Sequence, residues 1–258
     1  MDKTLLKGLR LFEIICAQED QPNTIEDLAT LAELTRSNTH RTLQTLIAAG
    51  YVEKNTQNAG YKPTLKLFEL AAQRLAKLDV RKVAAPYMRS VALETKETVH
   101  LSVLDNLDVI YIDKIDSPNP VRAYSMIGGR APAYAVATGK VLLAFQSSDY
   151  LENHETELVR HTENTLTSFS TIKEELADIS RIGYAINRGE WRANVGGIAA
   201  PIFDAHNNAI AAIGISGPLE RLNIENMKRW SPLILNAAGK ISRELGYRRG
   251  YFGESNEI

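Results

Sequence analysis

The sequence predicts two domains of different class: a small, mostly helical one over residues 1–63 and a larger α+β one over residues 80–250, joined by a helix at 64–79. Three observations predict it. Apolar side chains recur at helical spacing in three successive N-terminal segments, which end in a hairpin signal. From residue 96 onward the texture changes to alternating β-branched segments interleaved with helical ones. Finally, 258 residues that are 44% hydrophobic supply enough apolar material for two cores.

The first helix is predicted over residues 4–18, with Leu5, Leu9, Phe12 and Cys16 as its inward stripe. Pro22 and Asn23 break it, and Thr24 caps a second helix, with Asp27 three residues on as an imperfect capping box. The inward face of that helix is Ile25, Leu28, Ala29 and Ala32. A third helix has a polar first half, Thr35 to Arg41, and an apolar second half carrying Leu43, Leu46 and Ile47; Gly50 ends it. Residues 51–54 and 61–62 read as two short strands around a turn at 55–60. Leu67, Leu70, Ala71, Leu75 and Leu78 then mark the connecting helix. Another helix follows at 80–95, with Pro86 tolerated in its first turns or as a kink.

In the second domain, strands are predicted at 99–104 and 109–115 around a hairpin signal at Asp105–Asp108, and at 121–124, 183–187, 197–203 and 209–216. Helices are predicted at 138–145, 171–182 and 224–245, giving an α+β domain with an antiparallel sheet. The single cysteine, Cys16, excludes an internal disulfide and reads as core packing rather than a reactive thiol. No apolar run approaches a membrane span, and the N-terminus lacks a signal-peptide h-region, so a cytoplasmic protein with no membrane partner is expected.

Three helices followed by a hairpin is the layout of a winged helix-turn-helix, whose third helix offers its N-terminal residues to the major groove. Thr35, Arg36, Ser37, Asn38, Thr39, His40 and Arg41 are side-chain types that read bases or grip phosphates, and they stand at that end of that helix. The charge pattern agrees locally. The whole chain has a formal net charge of −1, and residues 1–62 hold seven basic and eight acidic side chains. Over 35–62, however, Arg36, Arg41, Lys54 and Lys62 face Glu53 alone. Lys54 and Lys62 in the wing are therefore added as phosphate contacts. So few charges per subunit predict a modest electrostatic attraction and a need to dimerise.

With Gly8-Leu9 and Leu11, Leu28-Ala29, Ser37 to Leu43, and Leu46 to Val52, residues 5–62 also resemble the N-terminal domain of the IclR family of transcriptional regulators. The likeness continues to about residue 247 through Tyr61 to Leu70, Lys96 to Leu101, Ile127 to Pro132, Ala137 to Ala144, Ile198 to Asp204 and Ile213 to Pro218. Within the family the chain is most similar to regulators of sugar-acid catabolism of the 2-keto-3-deoxygluconate type. The resemblance implies a GAF-like effector-binding domain around a small organic acid. The positions carried over for that pocket are Ala137, Thr138, Gly139, Asn187, Gly197, Gly214 and Ser216.

Elementary chemistry adds to this. The Thr138–Lys140 backbone at a helix start offers N–H groups to a carboxylate, and Ser216 and Asn187 offer neutral hydrogen bonds. Met126, Tyr134 and Trp191 are candidate walls, with a plain core role equally open to each. Gly197 and Gly214 replace Cys and Ser of several relatives, and Asn194 stands where Gly is usual, with a left-handed backbone in prospect. Arg188 or Arg192 on the rim favours an anion.

The expected protein is a homodimer or tetramer, mated through helix one and the connecting helix. It binds double-stranded DNA at a palindromic operator, and its effector alters the placement of the two winged helices. Repression of a sugar-acid or small-carboxylate operon is expected, with activation of an aromatic-acid operon as the alternative.

An enzyme is the competing class. Gly139-Lys140 is not a phosphate loop, because Tyr134 takes the place of its first glycine and Val141 that of the Ser/Thr. Gly214-Ile215-Ser216-Gly217 is one residue short of a nucleophile elbow. The five histidines (40, 100, 154, 161 and 206) are scattered, so no metal and no cofactor are expected, and Glu174-Glu175 reads as helix-surface charge.

Overall fold

The computed structural model describes residues 3–17, 24–55, 60–75, 79–154 and 158–252. The Pro22-Asn23 break, the 56–59 turn and the 76–78 end of the connecting helix lie outside the described residues. The chain divides into two compact units, Met1–Leu78 and Asp79–Ile258.

The first unit holds α1 (Lys3–Ala17), α2 (Ile25–Leu31), α3 (Arg36–Ala48), the hairpin β1 (Val52–Lys54) and β2 (Tyr61–Pro63), and α4 (Lys66–Leu75). Thr24 and Asp27 form a complete capping box: each backbone N–H donates 3.3 Å to the other's side-chain oxygen. The core is Leu11, Ile15, Leu28, Ala32, Leu43, Val52 and Tyr61. This corrects the expected face of α1. Leu11 and Ile15 point inward, whereas Leu5 and Leu9 are 61% and 50% exposed and Cys16 is half-buried. The helix has apolar residues on two faces; Phe12 of the expected stripe still packs against the core, but the fully buried positions are Leu11 and Ile15. Lys66 donates 2.6 Å to the Ala49 carbonyl and lies over the Tyr51 ring, tying the start of α4 to the end of α3.

The second unit begins with α5 (Asp79–Thr95), which runs unbroken through Pro86. The rest follows in the order β3 (Thr98–Asp105), β4 (Asp108–Ile115), β5 (Arg130–Pro132), a 3-10 turn (Ala133–Ala135), α6 (Ala137–Leu143), α7 (Ser148–Asn153), α8 (Phe169–Ile182), β6 (Ala185–Arg188), β7 (Val195–Phe203), β8 (Ala209–Pro218) and α9 (Ile224–Glu244). Its sheet has the order β5-β4-β3-β8-β7-β6, and all its pairings are antiparallel. Residues of both alternating sets are buried along β3 and β7, so both faces of the central sheet are covered. Helices α5 and α9 pack together against the sheet, and α6 crosses β7, β8 and β3 with α8 outside it. Phe145, Phe203, Tyr247, Tyr251 and Phe252 form a ring cluster that fixes the residues after α9.

Residues 121–124 are not a strand, contrary to the sequence expectation; their alternation has another origin, described below. The short elements β5 and α7 were not anticipated. No helix among the described residues is long and apolar enough to cross a membrane.

Candidate functional site

In the first unit, Thr35 caps α3, and its hydroxyl accepts from the Asn38 N–H at 3.3 Å. Arg36, Ser37, His40, Arg41 and Gln44 are exposed, and Asn38 is half-buried. Their spacing puts Ser37, His40, Arg41 and Gln44 on one face. Arg41 donates 2.7 Å to Asn38 Oδ1, which orients both side chains; Arg36 pairs with Glu26 at 2.9 Å and Lys62 with Glu53 at 3.0 Å. Such exposed pairs are worth ~0–1 kcal/mol, so phosphate oxygens can replace the carboxylates. Lys54 is exposed on the wing.

In the second unit, a concavity of about 480 Å³, mouth included, opens beside α6; its inner cavity is about 40 Å³. The floor comes from β3, β7 and β8, and Thr138 and Ala137 come from α6. Asn187, Trp191 and Arg192 form one side and residues 123–125 the other. At the centre lies His100, fully buried. Its Nε2 is 2.7 Å from Ser216 Oγ, its Nδ1 is 3.4 Å from Ser125 Oγ, and its ring packs on Tyr111 at 4.7 Å. Loss of solvation, with repulsion from Lys114, pushes the His100 pKa down to about 4, so the imidazole is neutral near pH 7. Burial pushes the Tyr111 hydroxyl up to about 12, against the opposing pull of Arg192, so it stays a hydrogen-bond donor. Among the described residues no Asp or Glu lines this concavity, and Arg192 is the one cationic side chain in its lining.

Residues 4–56 match the model of the IclR helix-turn-helix domain, and residues 72–243 match that of the bacterial transcriptional regulator IclR C-terminal domain. The chain belongs to the IclR family. It is 37% identical over 242 residues to the HTH-type transcriptional regulator KdgR of Escherichia coli (strain K12), covering 93% of this chain and 92% of that protein. It is 32% identical over 252 residues to the DNA-binding transcriptional repressor YiaJ of the same organism, covering 95% and 88%. Among solved structures, an IclR homologue complexed with 4-hydroxybenzoate from Microbacterium hydrocarbonoxydans superposes with a TM-score of 0.80 at 26% identity, covering 94% of this chain and 99% of that one. The protein is thus a DNA-binding transcriptional regulator with a C-terminal effector-binding domain, and not an enzyme.

The structure of this IclR-family regulator brings Ala137, Thr138, Asn187, Trp191, Gly197, Gly214 and Ser216 together around one pocket. It leaves others out. Met126 is 56% exposed and does not line the pocket. At Gly139 an added Cβ would lie 2.3 Å from the Ala133 backbone, so this glycine serves close packing of α6 rather than a ligand. The Gly139 and Lys140 N–H groups, expected to be free, both donate to the Val136 carbonyl. Tyr134 turns away and donates to the Val159 carbonyl at 3.0 Å. Thr39, expected at the DNA, is fully buried, and its hydroxyl donates back to the Thr35 carbonyl. Asn194 has no left-handed backbone. Gly214 and Gly197 let the pocket floor lie close, since a Cβ at either would come within 2.8 Å of a neighbour.

Charge is also redistributed relative to expectation. Lys140 is fully buried on α6 and pairs with Glu190 at 2.7 Å and Glu175 at 3.0 Å, and Arg188 reaches Glu175 at 2.9 Å. Glu175 is therefore not a surface charge, and Arg188 is not on the pocket rim. The Asn187 side-chain oxygen accepts the Gly189 and Glu190 N–H groups, so this ion cluster fixes the turn from which Asn187, Trp191 and Arg192 face the pocket. His100, Tyr111 and Ser125 were not anticipated. The signal for them was available in part: Thr98, His100 and Ser102 are polar at period two on a strand that is otherwise apolar. Among the described residues no group of three His, Cys, Asp or Glu side chains is placed to hold a metal.

Proposed function

We propose that this regulator is a cytoplasmic repressor of a sugar-acid or small-carboxylate catabolic operon, controlled by a small hydroxy or keto acid bound beside α6. The observation that carries this reading is the make-up of the pocket: neutral hydrogen-bonding groups from Tyr111, Thr138, Asn187 and Ser216, one guanidinium, and no carboxylate. Such a lining attracts one negative charge and satisfies several hydroxyl or keto oxygens. Tyr111, His100 and Arg192 line this pocket, and Gly139 and Met126 do not. The likeness to KdgR supports the sugar-acid class.

DNA is read by Arg36, Ser37, Asn38, His40 and Arg41, with Gln44 on the same face and Lys54 and Lys62 on phosphates. Thr35 shapes the helix start. The protein acts as a homodimer or tetramer on a palindromic site. Support comes from the apolar surface that α1 and α4 present: Leu5, Leu9, Leu65 and Phe68 are between 50% and 77% exposed, and a groove of about 540 Å³ runs along Leu5, Leu9, Phe12 and Leu46.

An aromatic acid is the second reading, favoured by Tyr111 and Trp191 in the lining and by the 4-hydroxybenzoate relative. A thermal-shift screen of the full chain against aldonates, keto acids and benzoates separates the two. A ligand at 100 times its Kd adds about 2.7 kcal/mol, or about 5–10 °C for a domain of this size. A shift with aldonates or keto acids that also weakens operator binding in an anisotropy titration is the expected result. A well-folded protein that responds to none of these acids sinks the effector assignment and leaves the DNA-binding one untouched.

A further inference from the structure

Residues 121–126 cross the pocket as a strap without strand pairing. Ala123 and Ser125 point inward, 6% and 9% exposed, whereas Val121, Tyr124 and Met126 point outward, all above 55%. Side-chain cations hold its carbonyls. Arg221 donates to Val121 O at 2.9 Å, Lys114 to Ser125 O at 2.7 Å and Arg192 to Tyr124 O at 3.3 Å. Arg221 and Lys114 also have carboxylate partners, Glu97 at 2.9 Å and Asp116 at 3.0 Å. Arg192 has none among the described residues. It sits at the mouth, its guanidinium carbon 4.5 Å from the Trp191 ring.

Volume decides which wall gives way. The concavity leaves water-sized groups about 40 Å³, room for roughly three at about 10–15 Å³ each, so an acid of more than a few heavy atoms needs a wall to yield. The floor cannot retreat, because β3, β7 and β8 are fully paired and Gly197 and Gly214 are already in close contact. On the α6 side, Gly139 leaves no clearance from Ala133. The 189–194 turn also lacks a ladder, but Asn187 accepts its Gly189 and Glu190 N–H groups and Glu190 is locked to the buried Lys140; the strap has no such anchor inside the pocket wall.

We propose that Arg192 is both the charge-reading residue of the pocket and the latch of the strap. The incoming carboxylate takes the guanidinium from the Tyr124 carbonyl, a stronger acceptor displacing a neutral one, and the strap swings outward with its apolar outer face. This rests on the effector reading above and adds the means by which an acid differs from an uncharged analogue. A polyol of the same length matches the hydroxyl contacts but has nothing with which to release Arg192.

The test is hydrogen exchange on the full chain, following peptides that contain residues 119–127 against a control in β7. Without ligand, Arg192→Gln is expected to speed strap exchange about tenfold, the equivalent of one charged hydrogen bond, and to leave the control unchanged. In the unaltered protein, D-gluconate at a concentration that raises Tm is expected to do the same, and sorbitol is not. Unchanged strap exchange in Arg192→Gln overturns the latch, as does a gluconate-stabilised protein whose strap stays protected. If gluconate and the other acids fail to raise Tm, the effector reading falls instead, and the variant still decides whether Arg192 holds the strap.

Discussion

Replacing Lys140 with Met removes the only ammonium inside the cluster behind the pocket. Lys140 is 0% and Glu190 2% exposed, with 2.7 Å between their charged atoms, so the variant strands a carboxylate in a site water does not reach. Breaking such a pair costs about 3–5 kcal/mol. Arg188 lies 3.6 Å from Glu190 and 2.9 Å from Glu175, and its partial compensation places the expected loss near the lower end, about 3 kcal/mol. That corresponds to a fall in Tm of about 6–12 °C. Both tryptophans, Trp191 and Trp230, lie in the second unit, so intrinsic fluorescence during urea unfolding reports on that unit alone. Lys140→Met combined with Glu190→Gln removes the stranded charge and is expected to recover most of the loss. A single-variant loss below 1 kcal/mol, or a double variant no better than the single one, would refute the view that an uncompensated charge is the issue.

Three further outcomes are expected. Changing Arg36 and Arg41 together to Ala should lower operator affinity in an anisotropy titration without altering the thermal transition. If Arg41 reads a base, its loss costs about 1–3 kcal/mol of discrimination between operator and scrambled DNA; an equal loss on both means that it touches phosphate only. Gly214→Ser puts a Cβ 2.8 Å from that of Ala199 and 2.9 Å from the Ile198 carbonyl, so a loss of about 1–3 kcal/mol is expected by urea unfolding, and an unchanged midpoint would show that the floor can shift. His100 titrates near 6.5 when unfolded and about 4 when folded, so between those values the unfolded chain carries the extra proton. Stability is therefore complete above pH 6.5 and falls by about 3 kcal/mol as pH drops to 4, and His100→Gln should flatten that slope by about one proton.

Much of this was legible in the sequence for identifiable reasons. Capping at Thr24, the Gly50 stop and the hairpin are local chemistry, and local chemistry survives into the fold. What failed did so where a pattern has two physical causes. Leu5-Leu9-Phe12 and Leu11-Ile15 are both valid helical stripes, and a single chain does not say which one its own core takes. Residues 122–126 alternate like a strand because one side faces a pocket and the other solvent, and hydrogen bonding to a neighbour is not part of that pattern. Glu175 looks like a surface charge because its partners, Lys140 and Arg188, stand on other elements. Thr39 looks like a DNA contact because hydroxyls serve helix backbones as readily as phosphates. Of the pocket, the glycines and Ser216 came from family resemblance, whereas His100 and Tyr111 needed the pairing of β3 with β4 and β8 to bring them together.

That pairing also orders events during synthesis. The core of the first unit is complete once residue 61 has emerged, and its contacts are close in sequence. In the second unit, β3 lies between β4 and β8, and Thr98 pairs with Ser216, more than a hundred residues later. The ring cluster then waits for Tyr251 and Phe252. Closing so long a loop is slow, and it cannot begin until Ser216 has left the ribosome. The nascent protein therefore acquires its N-terminal fold first and its ligand-sensing sheet last, which makes the second unit the part most dependent on chaperones and most exposed to proteolysis while incomplete.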